Sequence, residues 1–217
     1  MQRSTIAALV GFALCGVVSV DASRAAVSNC PEVPVAFSDG AGPYDYRNPK
    51  TRTEVRHVEG NHFNKDVEML RGGMSNAFGP AADITFMLNK IPNHPRGLLA
   101  YMNLAERTRM ELPPGGLFTI GCAFGRAKVY VPDDPAVWAL SGLYLSRTGH
   151  IDEAIVELNE ATRLAPENAN IHYNLGLLYF QKKDYERART HAKRAYDLGF
   201  PLPGLRDKLV KAGEWEK

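Results

Sequence analysis

Apolar residues recur every three or four positions along most of the chain, which is the spacing of one face of an α-helix. Pairs of Pro and Gly interrupt this pattern and mark the ends of successive helices. One helix opens at Gly79-Pro80, because a proline in the first turn loses no hydrogen bond. Outside residues 135–200, the pattern predicts helices over 65–71, 80–90, 96–107, 117–131 and 205–212.

Residues 135–200 repeat themselves at a spacing of 34 positions. Gly142 and Gly176 are equivalent, and Ala154 and Ala188 follow them at the same interval. Small residues at these positions let two helices cross closely, while larger apolar residues fill the groove beside the contact. The match also sets Trp138, Ser141, Leu145, Leu158, Ala161 and Pro166 over His172, Leu175, Tyr179, Ala192, Ala195 and Phe200.

This pattern resembles the tetratricopeptide repeat (TPR), whose signature is W-x2-L-G-x2-Y, then A-x3-F, then a closing Pro. The resemblance implies an all-α solenoid of helical hairpins, in which each repeat buries its apolar side against its neighbours. Pro92-Asn93-His94-Pro95 stands where a repeat closes, so a third, less regular repeat is expected before the two clear ones. The expected divisions are a signal peptide (1–25), an irregular arm with two short helices (26–92), the TPR domain (93–200, with repeats at 93–132, 135–168 and 169–200) and a C-terminal capping helix (201–217).

The first repeat is expected to carry a long hairpin loop. Pro113-Pro114-Gly115-Gly116 lies between its two helices, and the connection is about eight residues longer than a TPR needs. Such a loop is either a contact surface or a neutral insertion of the kind that protein surfaces tolerate.

Several segments outside the repeats are similar to those of a group of exported bacterial TPR proteins. They are Gly42–Arg47 (GPYDYR), Val58-Glu59 with His62-Phe63, Pro92–Pro95 (PNHP) and Gly199–Arg206 (GFPLPGLR). The resemblance implies an arm before the repeats and an exported protein. It transfers no activity and no catalytic residue.

The N-terminus has the features of a secretory signal peptide: Arg3, an apolar run from Ile6 to Val20, and small residues after it. The run is shorter than the ~20 residues that span a bilayer, so cleavage is expected and a permanent membrane helix is not. The mature protein is expected to begin near Ser23 or Ala26 and to be soluble in the periplasm.

Export changes the meaning of the cysteines. Cys15 leaves with the signal peptide, and Cys30 and Cys122 remain. An even pair in an oxidising compartment predicts a disulfide between the start of the mature chain and the first repeat, with two separate buried thiols as the alternative. Two cysteines so far apart, without a CxxC pair or clustered histidines, are a poor metal site.

Charge gives no reason to expect a nucleic-acid partner, because the net charge is only +2 and no long basic run contains aromatic residues. Charge is nevertheless sorted between the second helices of the two clear repeats. These two sets form either solvated faces that pair loosely or a polar docking surface. The acidic set is Asp152, Glu153, Glu157 and Glu160, and the basic set is Lys182, Lys183, Arg187, Arg189, Lys193 and Arg194.

In TPR proteins the first helices of successive repeats line a concave groove that holds extended or helical peptides. Asn174 falls where carboxylate-clamp TPRs bind the ligand backbone, but Arg147 is the only cation on this face, so a peptide gripped in mid-chain fits better. The arm filling the groove is the alternative. The groove candidates are Ala139, Leu143, Arg147, Asn170, Tyr173, Asn174, Leu177 and Gln181.

The cluster of His57, Glu59 and His62, with His94, suggests metal or acid–base chemistry. Gly60-Asn61 is expected to interrupt a helix that would place His57 and His62 on one face, unlike a zincin, and no nucleophile motif accompanies them. We therefore expect structural roles for these side chains, with no catalytic residue, no metal and no cofactor.

The sequence thus predicts an exported, non-enzymatic TPR scaffold that binds a protein or peptide partner in the cell envelope and helps assemble or stabilise a complex there. One alternative is a TPR protein that binds glycan or peptidoglycan through Tyr44, Tyr46 and Tyr173. The other is a metal-binding enzyme that uses His57, Glu59 and His62.

Overall fold

The computed structural model describes residues 30–34, 37, 42–74 and 79–216, and the predicted signal peptide lies outside these ranges. The described residues form helices and connections without a strand. No helix within these ranges is both long and apolar enough to cross a bilayer. After a 3-10 turn at Pro49–Thr51, the helices are α1 Arg52–His62, α2 Lys65–Glu68, α3 Gly79–Lys90, α4 Pro95–Thr108, α5 Ile120–Tyr130, α6 Pro135–Arg147, α7 Ile151–Leu164, α8 Ala169–Gln181, α9 Tyr185–Asp197 and α10 Gly204–Lys211.

Helices α4 to α9 pair in chain order as three hairpins, α4–α5, α6–α7 and α8–α9. The side chains of His94, Asp134 and Asn168 each accept a hydrogen bond from a backbone N–H in the first turn of α4, α6 and α8. Each bond satisfies a donor that the helix cannot satisfy itself. Gly149 follows α6 with a φ of 88°, which a glycine adopts without strain and which lets the chain turn back into α7.

Gly142 and Gly176 lie where helices approach each other closely. A Cβ on Gly142 would lie 2.8 Å from Leu158 Cγ, and a Cβ on Gly176 would lie 2.5 Å from Leu205 Cδ2 and 3.2 Å from the carbonyl oxygen of Ala188. Any larger residue would push these helices apart, because protein interiors are close-packed. The predicted all-α helical solenoid is confirmed.

Helix α10 covers the end of the solenoid by packing on α8 and α9. Its Leu205 and Leu209 lie one turn apart and are fully buried. Trp215 packs against the same apolar core. Such a helix is needed because the last repeat has no following repeat to cover its apolar side.

In its described residues the arm contains three helices, where two short ones were expected. The prediction that Gly60-Asn61 interrupts a helix was wrong, because both residues lie within α1. Val55 and Val58 are buried on one face of α1, and the Asn61 side chain donates to the His57 carbonyl (3.0 Å). Burying two valines is worth more than the ~1 kcal/mol that a glycine costs inside a helix.

Two helix ends also differ from the predicted positions. Helix α2 ends at Glu68 and not at residue 71, because Leu70 has a left-handed φ of 57°. Helix α5 begins at Ile120 and not at residue 117, because the Thr119 side chain accepts from Cys122 N and caps the helix there.

The start of the arm is fixed to α5. Cys30 is disulfide-bonded to Cys122, with the two Cα atoms 5.4 Å apart. Arg126 is buried and donates to the carbonyl oxygens of Pro31 and Glu32, the latter at 2.8 Å. Burial lowers the pKa of this guanidinium. The disulfide and Arg126 together hold the start of the arm against α5.

Candidate docking site

The connection between α4 and α5, residues 109–119, presents apolar side chains to solvent. Met110, Leu112 and Leu117 are 48%, 44% and 58% exposed. Isolated exposed apolar residues are ordinary on soluble proteins, but three within one loop mark a candidate contact surface. We call this segment the long loop.

Buried anchors hold the long loop in one conformation. The hydroxyl of fully buried Tyr101 donates to the carbonyl oxygen of Phe118, which is itself only 4% exposed. Ile120 N donates to the Glu111 carbonyl (2.9 Å) and closes the base of the loop. Leu117 N donates to Thr85 Oγ1 on α3 (3.0 Å). A loop fixed in this way loses little conformational freedom when a partner binds.

An open cleft of about 590 Å³ lies between the long loop and the C-terminal ends of α4 and α6. Arg109 begins the loop in a left-handed conformation (φ 56°), which a non-glycine residue seldom adopts. The Tyr144 side chain is half-buried, and burial, with the nearby charges of Glu111 and Glu106, raises its pKa. The cleft is lined by Ala105, Glu106, Arg109, Met110, Glu111, Tyr144, Arg147 and Thr148.

Some charged side chains that line the cleft are paired within the protein and others are not. Arg147 is engaged, because it bonds Glu106 (3.2 Å) and Asn103 (3.2 Å). Within the described ranges, the side chains of Arg109 and Glu111 have no hydrogen-bonding or ion-pair partner. As far as the described residues go, the cleft therefore combines the unpaired cation of Arg109, the unpaired anion of Glu111 and the apolar side chain of Met110.

The long loop also borders a second cleft, of about 430 Å³. Arg107 at its edge donates to the Leu70 carbonyl oxygen (2.9 Å), which ties α4 to the arm. Its lining is Gly79, Pro80, Leu104, Arg107, Thr108, Pro113, Pro114 and Gly115. We use the name docking surface for the long loop and these two clefts.

The predicted groove residues are spread over several environments. Of the eight, Arg147 alone lines a cleft described above. Leu143 packs against the core of the first repeat. Tyr173 stacks on Phe200 with ring centroids 3.9 Å apart, so one face of its ring is covered. Ala139 and Leu177 pack on the second core, Asn174 is half-buried, and Asn170 and Gln181 are exposed.

The motifs of the arm meet at a buried asparagine. Asn93 is 1% exposed, its Oδ1 accepts from Tyr46 N (2.9 Å), and its Nδ2 donates to Asp45 (2.7 Å) and to Asp134 (2.8 Å). Arg47 bonds Asp45 (2.8 Å) on the other side. Partial burial raises the pKa of Asp45, but hydrogen bonds from Arg47 and Asn93 outweigh it and lower the pKa. The network joins the arm to the α3–α4 and α5–α6 connections.

His94 has both ring nitrogens engaged. Its Nδ1 accepts from Gly97 N (3.0 Å), so its Nε2 carries the proton and donates to Glu59 (2.8 Å). Burial lowers the pKa of His94 more than Glu59 raises it. Partial burial raises the pKa of Glu59, but hydrogen bonds from His94 and Arg96 outweigh it and lower the pKa. A neutral, fully buried histidine in this setting orients helices and is inaccessible to a substrate.

His57 and His62, the two histidines of the arm, do not hydrogen-bond to the His94–Glu59 pair. His62 Nδ1 contacts Asp83 (3.2 Å), and His57 is exposed beside Asn61. Across the described residues, no group of three or more His, Cys, Asp and Glu side chains is placed to hold a metal ion.

The tyrosines considered for glycan binding are in contact with protein groups. Tyr46 lies edge-on to His94 with ring centroids 4.5 Å apart. Tyr44 is half-buried, and its backbone N–H donates to the Lys90 carbonyl oxygen (2.8 Å). Both side chains also pack against the core that contains the first repeat.

The described residues of the arm do not line the cleft between α4 and α6, whereas Gly79 and Pro80 at the start of α3 line the second cleft. The segment of the arm before α1 contacts the end of α3, helix α5 and the α5–α6 connection: Tyr44 to Lys90, Pro31 to Arg126, and Arg47 to Asp133. The cleft between α4 and α6 takes its lining from those helices and the long loop.

The Pro and Gly content of residues 113–116 predicted the long loop, but the sequence pattern did not predict the residues that line the cleft beside it. Arg109, Met110, Glu111 and Tyr144 carry no repeat signature. The available signal was the presence of Met110, Leu112 and Leu117 in a segment that the turn-formers mark as a loop.

Comparison with known proteins identifies the repeats. Residues 142–183 match the family model "TPR repeat", and residues 169–199 match "Tetratricopeptide repeat". No curated protein matches the chain. Among the solved structures that match is MamA MSR-1 C2, at 20% sequence identity and a TM-score of 0.42, over 55% of this chain and 65% of that one. The match thus spans slightly less than two thirds of MamA. Residues 142–199 of this chain, whose described part is all-helical, thus match tetratricopeptide repeat models.

Proposed function

We propose that this protein is a cell-envelope scaffold that binds a partner protein through the docking surface. Tetratricopeptide repeats bind protein partners, which supports an interaction role in general. The exposed apolar side chains of the rigid long loop, beside a cleft with free charges, support this particular surface. The proposal assigns no catalytic residue.

The location in the envelope rests on the N-terminal sequence. Arg3, the apolar run from Ile6 to Val20 and the small residues after it are the features that a secretory signal requires. We expect the full chain to be exported and cleaved near Ser23 or Ala26, and a chain lacking residues 1–25 to stay in the cytoplasm. N-terminal sequencing of the exported protein tests this independently, because a cytoplasmic full-length chain would refute the location without touching the docking surface.

The docking surface is tested by photo-crosslinking in intact cells. A photoreactive amino acid at Leu117 is expected to crosslink a specific protein partner. The same group at Val129, an 80% exposed residue on α5, is the matched control and is expected to give no such product. Equal crosslinking from both positions, or from Val129 alone, would show that the partner does not use the long loop.

Once the crosslinked partner is purified, its affinity can be measured. Leu112→Ser and Leu117→Ser together are expected to weaken binding by about 3 kcal/mol, roughly a hundredfold, because a buried leucine contributes about 1.5–3 kcal/mol. Val129→Ser with Val156→Ser, at exposed positions on α5 and α7, is the control and should change the Kd less than about twofold. A Kd that both pairs change equally would refute the assignment.

A further inference from the structure

The C-terminal end of the solenoid is basic. Residues 182–216 carry nine Lys and Arg against six Asp and Glu, although the whole chain has a net charge of only +2. Some of these cations pair with carboxylates of α7 and of the helix connections, as loosely pairing faces would. These pairs are Lys182–Asp152, Arg194–Glu167 and Arg187–Asp184.

Other cations of this region gather around one aromatic ring. Lys193 Nζ lies 5.7 Å and Arg206 Cζ 5.3 Å from the ring centroid of half-buried Trp215. Arg189 donates to the backbone carbonyl of Glu214 (2.8 Å), beside the same ring. Lys193 and Arg206 are exposed, and neither has a carboxylate partner within the described ranges. We call Arg189, Lys193, Arg206 and Trp215 the Trp215 corner.

Tyr196 holds the Trp215 corner in place. Its ring lies edge-on to Trp215, with the ring centroids 6.0 Å apart. Its hydroxyl accepts from Arg206 N (3.0 Å) and donates to the Leu202 carbonyl oxygen (3.2 Å). The start of α10 and the backbone of Arg206 are thereby fixed against α9, so the cations are positioned before any ligand arrives.

We propose that the Trp215 corner is a second interaction surface, which binds an acidic segment of a partner protein. A carboxylate placed between Lys193 and Arg206 would pair with both cations and keep their contacts with the indole, because cation–π contacts leave N–H donors free. An anionic lipid surface fits less well, because Trp215 is covered by Tyr196 and the two cations and so is not free to enter a bilayer. The surface is separate from the docking surface and does not depend on it.

Trp215 supplies the probe for a test. The chain has two tryptophans, so Trp138→Phe leaves Trp215 as the only one. A synthetic peptide of alternating Glu and Ala is titrated into this variant while tryptophan emission is followed. We expect a saturable change that weakens as salt is raised. The uncharged Gln–Ala peptide should give no response.

Charge removal at the corner provides the matched comparison. Lys193→Gln with Arg206→Gln should weaken Glu–Ala binding roughly tenfold, whereas Lys183→Gln with Lys211→Gln, two exposed lysines elsewhere on this end, should change it less than about twofold. Circular dichroism verifies that each variant is folded, and if the double variant does not fold, Lys193→Gln alone must weaken binding. No saturable response, an equal response to the Gln–Ala peptide, or equal effects of the two pairs would overturn the proposal. Binding to anionic phosphatidylglycerol vesicles in the absence of peptide binding would overturn it in favour of a lipid surface.

Discussion

Asn93 provides the most stringent test of how the arm is attached. Asn93→Ala removes three hydrogen bonds, to Tyr46, Asp45 and Asp134, at a position that is 1% exposed. Each bond contributes about 1 kcal/mol net, and a buried partner that is left unsatisfied costs at least as much. Asp45 keeps its bonds to Arg47, which limits the damage. We therefore expect a loss of about 3 kcal/mol in the free energy of unfolding.

A second substitution at the same position reverses the chemistry. Asn93→Asp places a carboxylate between those of Asp45 and Asp134, and this repulsion would raise the pKa of the new side chain in the folded protein. A raised folded pKa gives stability that is present at low pH and is lost as pH rises through that pKa. The Asp variant should therefore be less stable at pH 7 than at pH 5, relative to wild type.

Urea unfolding followed by circular dichroism measures both effects, with unchanged m-values showing that the transition is the same. Asn170→Ala, at an exposed asparagine, is the control and should stay within about 0.5 kcal/mol of wild type. Trypsin should also cut faster after Arg47 in Asn93→Ala. A loss below about 1 kcal/mol, or an Asp variant as stable as wild type at pH 7, would refute the network as the attachment of the arm.

Two further predictions concern the repeats. Gly142→Ala should lower the free energy of unfolding by about 1–3 kcal/mol, because its Cβ would lie 2.8 Å from Leu158 Cγ. Gly121→Ala in α5, where a Cβ would have no atom within 4 Å, should raise it by about 0.5–1 kcal/mol. Thermal melts in which both variants shift in the same direction would contradict this. Burial, with the charges of His172 and Arg187, lowers the pKa of His191 to about 4. In the unfolded chain the His191 imidazole takes up a proton near pH 6.5, so the free energy of unfolding in urea should fall as pH drops from about 6.5 to about 4. His191→Gln should remove part of that fall. A variant with the same pH dependence of stability as wild type would contradict this assignment.

The repeats were predictable because their determinants are local. Gly142 and Ala154 face each other across one hairpin, and the same spacing recurs at Gly176 and Ala188, so periodicity alone identifies the contact. Cys30 and Cys122 could be paired by counting, on the expectation that Cys15 leaves with a signal peptide. The repeat contacts recur at a fixed interval in the sequence, and without Cys15, Cys30 has no other cysteine than Cys122 to pair with.

The Asn93 network and the docking surface were not predictable in this way. Asp45, Asn93 and Asp134 come from three connections that meet only in the folded chain, and no periodicity links them. The histidine motif suggested chemistry because His57 and Glu59 are close in sequence, yet Glu59 pairs with His94, 35 residues away. Likewise, the groove residues follow from the repeat, but the cleft is formed by an insertion that the repeat does not specify.

These observations give the arm a mechanical role. Asn93 and Arg47 tie it to the α3–α4 and α5–α6 connections, which lie at the starts of α4 and α6. The long loop leaves the opposite end of α4 and rests on Thr85 of α3 and Tyr101 of α4. A force that separates α3 from α4 would therefore displace the loop. The network around Asn93 resists such a separation, so the motifs at Gly42–Arg47 and Pro92–Pro95 help to keep the long loop rigid.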